Sequence, residues 1–198
     1  AEQRYVFDST MLHANSNVGI TNKPKQMFAM ISGTAGSGKT YLVRALKHVL
    51  GDRLVVCAPT GVAADNIGGC TYQSKVPVPR INIDRANIRV AQGHARYKRL
   101  VLDWEGVEYL IIDEMSMVGR RSLGHIDELL RQARHNELPF GGINIILVGD
   151  HGQLPPVKDH RCYDWTGVRH KSKKQFKEWL STAPPWQQRG VELYEKFT

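Results

Sequence analysis

The segment from Gly33 to Thr40 constrains the fold of this chain more than any other feature. It reads Gly-Thr-Ala-Gly-Ser-Gly-Lys-Thr, which is the spacing of the Walker A phosphate-binding loop. An apolar run at residues 27–31 precedes the loop, and an amphipathic stretch at residues 40–50 follows it. A strand, a glycine-rich loop and a helix in this order are typical of P-loop α/β proteins. The stretch that follows the loop is expected to place four apolar residues on one helical face: Leu42, Leu46, Val49 and Leu50.

Each residue type in this loop suits the binding of a triphosphate. Glycine at positions 33, 36 and 38 lets backbone N–H groups approach phosphate oxygens closely. The helix that starts near Lys39 adds further N–H groups and the positive end of its dipole. We expect Lys39 to contact the β- and γ-phosphates of ATP, and the Thr40 hydroxyl to bind Mg²⁺. The predicted nucleotide-binding set is Gly33, Thr34, Ala35, Gly36, Ser37, Gly38, Lys39, Thr40 and Tyr41.

Two further apolar runs end in polar residues that suit phosphate chemistry. Ile111-Ile112-Asp113-Glu114 reads as a Walker B motif, in which Asp113 binds Mg²⁺ and Glu114 orients and deprotonates the attacking water. The run that ends at Gly149 is followed by a polar loop containing Gln153. An amide can both donate and accept, so Gln153 is a candidate sensor of the γ-phosphate or of the attacking water. From the residues alone, Gln153 is equally compatible with an ordinary loop glutamine.

Composition restricts the class of protein and its partners. The chain has 198 residues, 41% of them hydrophobic and 23% charged, which excludes a disordered polymer and fits one ordinary domain. No apolar stretch approaches the length of a membrane span, so no membrane partner is expected. Three scattered cysteines predict free thiols in a reducing, intracellular compartment.

The net charge of +8 favours a polyanionic partner, most simply nucleic acid. Cations are concentrated in residues 80–100 and 158–177. Either cluster is equally compatible with a solvated helix face.

Short apolar runs alternate with helical patterns, which predicts an α/β fold with a mostly parallel sheet and helices on both faces. Strands are expected at residues 27–31, 54–58, 109–112 and 143–148. Helices are expected at residues 2–13, 40–50, 61–67, part of 84–102 and 119–134. Each motif follows one of these strands, where ligands of parallel sheets bind. Residues 1–157 are assigned to the nucleotide-binding domain and 158–198 to a basic extension, with 158–190 an irregular lobe or a partly ordered tail.

Five segments together resemble the first RecA-like half of a superfamily-one DNA helicase. The branch resembled is the RecD-like petite-integration-frequency (PIF-one) family, which includes the helicases of Helitron-type elements. The resemblance covers roughly residues 2–157, and residues 190–197 also resemble a segment that follows in some members. The segments occur in the family's order: Gly33–Thr40, Ala58–Ala64, Gly69–Ser74, Ile111–Val118 and Gly149–Val157.

This resemblance implies an ATP- and Mg²⁺-dependent motor that moves 5′ to 3′ on single-stranded DNA. The resemblance also implies roles in DNA repair, recombination and telomere maintenance. The implied location is the nucleus or mitochondrion if the source is eukaryotic. Gln3 would read the adenine edge, and Gln153 would sense the γ-phosphate. Residues implied to contact the DNA strand are Pro59, Thr60, Gly61, Thr71, Gln73 and Ser74. Gln73 stands where the family often has histidine, and His151 stands where an aromatic residue is frequent.

The resemblance also implies a second RecA-like half, which would supply arginines to the phosphoryl-transfer transition state. The chain begins at Ala1 and ends at Thr198 without such a half, so we expect a monomeric fragment of low activity. Two alternatives remain at this point. One is a P-loop ATPase or small-molecule kinase that does not act on nucleic acid, and the other is a non-catalytic nucleic-acid-binding module.

Overall fold

Strands and helices alternate along the computed structural model, which describes residues 2–16, 25–78, 88–162 and 172–197. The strands are β1 (Phe28–Ser32), β2 (Leu54–Ala58), β3 (Cys70–Thr71), β4 (Tyr109–Ile112) and β5 (Asn144–Gly149). The helices are α1 (Glu2–Ser16), α2 (Lys39–Leu50), α3 (Gly61–Asn66), α4 (Tyr72–Lys75), α5 (Ala95–Trp104), α6 (Arg120–Arg134), α7 (Lys173–Thr182) and α8 (Pro185–Tyr194). Short 3₁₀ turns lie at Gly51–Arg53, Met115–Met117, Pro139–Gly142 and Glu195–Phe197.

One parallel sheet organises these elements, with strand order β1-β5-β4-β2-β3. Every residue of β4 and β5 is buried, which explains why both strands are continuous apolar runs. Alternate side chains of the central strands point to opposite faces of the sheet and belong to two separate apolar clusters. One cluster contains Ile112 and packs on α5, α6 and α8, whereas the other contains Ile111 and packs on α1, α2 and α3. The predicted parallel α/β fold with helices on both faces is confirmed.

Several predicted boundaries shift. The first helix continues to Ser16, β5 runs one residue later than expected, and the described helix within 84–102 is α5, which begins only at Ala95. Residues 84–87 lie outside the described residues. The prediction that Val49 belongs to the buried face of α2 is wrong, because Val49 is 44% exposed and Val43 is fully buried. The true stripe places Val43 beside Leu42, Leu46 and Leu50, and Val49 falls at its solvent edge.

The C-terminal segment is more regular than its composition predicts. Residues 172–197 form α7, α8 and a final turn rather than an irregular lobe, while 163–171 lie outside the described residues. Helix α8 packs closely against α6 through two glycines. A Cβ at Gly190 would approach the Arg120 carbonyl within 3.0 Å, and a Cβ at Gly124 would approach the Trp186 carbonyl similarly. The two helix backbones therefore touch at a distance that larger side chains would prevent.

A buried carboxylate reinforces this helix pair. Asp127 is fully buried on α6 and accepts hydrogen bonds from Arg131 at 3.0 Å and from Arg189 of α8 at 2.9 Å. It also accepts a bond at 2.7 Å from the backbone N–H of Phe140. A buried charge is tolerated only when such partners compensate its desolvation, so Asp127 ties α6, α8 and the turn before β5 together.

Replacing Gly190 with alanine should destabilise the fold because the new methyl group meets backbone at the α6–α8 contact. Overpacking of this kind costs about 1–3 kcal/mol. Urea denaturation would measure the loss. The matched control is Gly93→Ala, since a Cβ there meets nothing within 4 Å. If the two variants are equally stable, the close helix contact described above is incorrect.

Candidate functional site

The loop between β1 and α2 folds around its own lysine. Gly36 and Gly38 have φ values of +79° and +85°, a left-handed region that favours glycine. The ammonium of Lys39 donates to the carbonyls of Gly33 at 2.6 Å and Thr34 at 2.8 Å. The loop therefore forms the cradle predicted for a P-loop, with its cation at the centre.

The loop borders a hollow of about 700 Å³, which is lined in part by the exposed Thr34 and Ser37 and by the half-buried Gly33 and Lys39. Thr40 is the second residue of α2 and is exposed. Its hydroxyl is thus accessible at the start of the helix, as a metal-binding threonine requires. The other predicted loop residues, Ala35 and Gly36, are also exposed.

Gln3 of α1 and Tyr41 of α2 lie close together beside the loop. The side-chain amide of Gln3 donates to the carbonyl of Ser37, and Gln3 lines the hollow next to Lys39. Gln3 also lines a second hollow of about 340 Å³ with Phe7 and Tyr41. The two hollows share Gln3, so a nucleotide whose phosphates lie in the loop has space for its base against α1.

The predicted Walker B carboxylates follow β4 at the same edge of the sheet. Asp113 is only 9% exposed, and its backbone N–H donates to the carbonyl of Cys57 at 2.9 Å. Glu114 adopts a left-handed conformation with φ of 52°, which is uncommon for a residue with a side chain. Such an outlier next to a buried acid is typical of a functional turn.

The electrostatics of this turn connect the acids to the loop. Burial raises the pKa of Asp113, and burial together with the neighbouring Asp113 charge raises the pKa of Glu114. The positive charge of Lys39 acts in the opposite direction on both carboxyls, and Asp150 adds to the rise at Glu114. The Lys39 ammonium is therefore near enough to both carboxyls to interact with them electrostatically. The catalytic roles of these three residues stay predictions.

The end of β5 completes this site. The backbone N–H of Gly33 donates to the carbonyl of Gly149 at 3.1 Å. A Cβ at Gly149 would approach the backbone nitrogen of Met115 at 2.8 Å, so the Walker B turn also touches this point. Gln153 is half-buried in the turn that follows, and its backbone N–H donates to the Asp150 carbonyl at 3.1 Å. The sensing role of the Gln153 side chain stays a prediction.

His151, in the same turn, contacts the C-terminal helix. Its Nε2 lies 2.6 Å from the hydroxyl of Tyr194, and the two rings meet edge-on with centroids 6.4 Å apart. The histidine therefore keeps an aromatic contact at a position where the resembled family often has an aromatic residue.

Residues predicted to contact DNA line a cleft of about 560 Å³ beyond the ends of the strands. Five of the six border it: Pro59, Thr60, Gly61, Thr71 and Gln73. Ser74 does not line this cleft, because its exposed hydroxyl donates to the carbonyl of Thr71 at 2.7 Å within the turn of α4. Thr60 has a structural role as well, since its hydroxyl caps α3 by accepting from the N–H of Ala63.

The rest of the cleft lining is not predicted to contact DNA. It includes the cations Arg121 and Lys158 and the carboxylate Asp159, together with Met117, Pro156 and Val157. Both cations follow the carboxyl ends of strands, Arg121 after β4 and Lys158 after β5. Position relative to a strand end is thus the signal that could have identified them.

The predicted basic clusters are only partly available to a ligand. In residues 80–100, Arg99 pairs with Asp103 at 3.0 Å and Arg89 pairs with Glu128. Arg80 and Arg85 lie outside the described residues, as do Arg169 and Lys171 of the second cluster. The charge of the first cluster is therefore partly neutralised by its neighbours.

The remaining sequence-based expectations concern thiols and membranes. Cys57 and Cys162 are buried, Cys70 is half-buried, and all three are free, as predicted. Within the four described ranges, no helix is long and apolar enough to cross a bilayer.

Comparison with curated proteins identifies helicases as relatives. The ATP-dependent DNA helicase PIF1 of Saccharomyces cerevisiae is 38% identical over 133 residues, which is 64% of this chain and 15% of that protein. The ATP-dependent DNA helicase PIF1 of Candida albicans is 35% identical over 158 residues, covering 72% of this chain and 16% of that protein. The chain thus spans about one sixth of the length of these relatives.

Solved structures and a family profile agree with these relatives. Pif1 from Bacteroides sp in complex with ADP-AlF4 has a TM-score of 0.63 at 33% identity, covering 92% of this chain and 36% of that one. Bacteroides Pif1 bound to ssDNA has a TM-score of 0.56 at 32% identity, covering 87% and 35%. The profile described as PIF1-like helicase matches residues 1–181. This chain belongs to the PIF1-like helicase family.

Proposed function

We propose that this chain is the ATP-binding half of a DNA helicase motor that moves 5′ to 3′ on single-stranded DNA. The observation that carries the proposal is that the P-loop and the Asp113-Glu114 turn both contact Gly149, at the carboxyl ends of the parallel strands. The relatives named as ATP-dependent DNA helicases support the same activity for the protein to which this domain belongs. The direction of movement rests on the family resemblance.

The chain's own residues divide the work of ATP hydrolysis among them. Lys39 and the loop N–H groups bind the β- and γ-phosphates, and Thr40 and Asp113 would hold Mg²⁺. When bound, Mg²⁺–ATP supplies the phosphoryl group that is transferred to water. Glu114 would orient that water and accept its proton, and Gln153 would sense the γ-phosphate or the water. The raised pKa of Asp113 fits a metal site, because a cation would offset the cost of its buried charge.

DNA binding is assigned to the cleft lined by Pro59, Thr60, Gly61, Thr71 and Gln73. One segment connects this cleft to the nucleotide site. Residues 149–157 begin at the glycine bonded to the P-loop, pass Gln153, and reach the cleft wall at Pro156. The state of the γ-phosphate can therefore alter the wall that faces DNA.

The family resemblance supports a second RecA-like half as the partner of this chain. The sheet edge that holds the candidate nucleotide residues would close against that half, which would supply transition-state arginines worth about 10³–10⁵ in rate. We therefore expect slow hydrolysis by this chain alone, as a monomer. The three free thiols fit an intracellular protein, in the nucleus or mitochondrion if the source is eukaryotic.

Lys39→Ala should weaken Mg²⁺–ATP binding roughly 10–100-fold, since it removes one or two charge-assisted hydrogen bonds. Isothermal titration would measure the affinity, with Lys98→Ala on the exposed side of α5 as the control. Single-stranded DNA affinity without nucleotide should not change in either variant. A small-molecule kinase would instead transfer phosphate to a small acceptor and bind no DNA, and that result would reject the proposal.

Asp113→Asn should stabilise the nucleotide-free fold at pH 7, because it removes a buried charge. The folded pKa of Asp113 lies above its usual value of 3.8, so folding favours the protonated carboxyl. The ionised Asp113 carboxylate lowers the free energy of unfolding. This loss is absent below pH 3.8 and grows as the pH rises through the folded pKa. The gain measured by urea denaturation should thus be large at pH 7 and shrink toward pH 4. Asp65→Asn, an exposed carboxylate, is the control, and an equal effect in both variants would contradict the burial argument.

Lys158→Gln should reduce the salt dependence of single-stranded DNA binding. For single strands, the logarithm of the binding constant falls as the logarithm of the salt concentration rises, and each phosphate contact adds about 0.7 to the steepness of that fall. Fluorescence anisotropy between low and moderate salt would measure that slope, and it should fall by roughly one such contact. Lys98→Gln, which does not line the cleft, should leave the slope unchanged. If both substitutions act equally, DNA does not bind in the assigned cleft.

A further inference from the structure

Two thiols face each other across the edge of the sheet. Cys57 of β2 and Cys70 of β3 are directly paired in the parallel register, and their sulfurs lie 3.6 Å apart. Neighbouring strands run about 4.8 Å apart, which is within the Cα separation that a disulfide spans. A bond of about 2.05 Å therefore requires the sulfurs to approach by only about 1.5 Å.

The two thiols differ in their environment. Cys57 is completely buried, whereas Cys70 is half-buried and can meet a small solute. The hydrogen bond between the two thiols lowers the pKa of Cys70 to about 6, against the effect of burial. Ser74 and Lys75 also lower this pKa, and Asp103 raises it. The Cys70 sulfur also lies 3.7 Å from the carbonyl of Val56, to which it donates when protonated. The hydrogen bond between the thiols raises the pKa of Cys57, which keeps its proton. Thiolate is the reactive form of cysteine, so Cys70 is the thiol prepared to react first.

We propose that Cys70 is a peroxide-reactive thiol and that Cys57 resolves it to an intramolecular disulfide. The Cys70 thiolate attacks one oxygen of hydrogen peroxide, the O–O bond breaks, and the departing hydroxide takes a proton to form water. This step oxidises the sulfur by two electrons to a sulfenic acid. The sulfur of Cys57 then attacks that of Cys70, and its proton leaves with the displaced hydroxide as a second water. In sum, two thiols and one peroxide give one disulfide and two waters.

The position of the pair connects this oxidation to the cleft assigned to DNA. Pro59 and Thr60 follow Cys57 by two and three residues, and Thr71 follows Cys70 directly. All three line the cleft, so a bridge would draw its two contact segments together. We therefore expect the oxidised chain to bind single-stranded DNA about tenfold more weakly, the size of one or two lost hydrogen bonds. This consequence rests on the proposed function, whereas the chemistry of the thiols does not.

The test treats the intact chain with one equivalent of hydrogen peroxide, alkylates remaining thiols, and maps peptides without reductant. The expected product is a Cys57–Cys70 cross-link that dithiothreitol reverses. Cys162 should stay reduced, because it is buried and donates to the Val118 carbonyl. Absence of the cross-link, or oxidation of Cys162 at the same rate, would overturn the proposal. Nucleotide and DNA are absent from this assay, so its failure would leave the proposed function standing.

Variants separate the two roles. Cys57→Ala removes both the resolving thiol and the hydrogen bond that lowers the pKa of Cys70, so a sulfenic acid should form at Cys70 more slowly but persist and be trapped by a 1,3-dione reagent. In Cys70→Ala the Cys57 thiol should stay reduced. Cys162→Ala should form the bridge as the parent chain does. Fluorescence anisotropy would measure the effect on DNA binding. The parent chain should bind single-stranded DNA more weakly after oxidation, whereas the affinity of Cys57→Ala should not change on oxidation. Equal affinities of the oxidised and reduced parent chain would reject the coupling to the cleft.

Discussion

A single backbone hydrogen bond, from the N–H of Gly33 to the carbonyl of Gly149, fixes the geometry on which the nucleotide site depends. It joins the P-loop to the end of β5, and β5 pairs with both β1 and β4. Because all the strands are parallel, their carboxyl ends meet at one edge. The strand order therefore brings together three motifs that are separated by up to about 120 residues in the chain: the P-loop, the Asp113-Glu114 turn and the loop of Gln153.

Placing a lysine and two partly buried carboxyls in this region of the fold has an electrostatic cost. Lys39 is held by two loop carbonyls, and the two nearby carboxyls are buried enough that their pKa values rise. A fold selected only for stability would replace such acids by neutral residues. Their presence beside a left-handed backbone at Glu114 is a physical sign of function that no single motif provides.

Local signals in the sequence predict four of the five described strands and the P-loop, because an apolar run and a glycine spacing are both short-range features. Strand β3 is not predicted, because its two residues form no apolar run. The α6–α8 contact is different: Gly124 and Gly190 are far apart in sequence, and only the packed structure shows that their missing side chains allow it. The same is true of Arg121 and Lys158, which become neighbours of the DNA candidates only when the strand ends meet. The start of helix α8 could have been predicted from the sequence, since Pro185 lies in its first turn, where proline is favoured.

The segment from Gly149 to Val157 is the part of the site that can transmit a change. Its start is anchored, because β5 is hydrogen-bonded on both edges and the turn of His151 contacts Tyr194 of α8. Its end lines the cleft and contains two prolines, whose fixed φ angles make the segment stiff. Under the proposed function, a displacement at Gln153 would be resisted by the sheet and would pass to Pro156 and to the lining of the cleft. The sheet would then be the fixed frame, and this short loop would connect the state of the nucleotide to the binding of DNA.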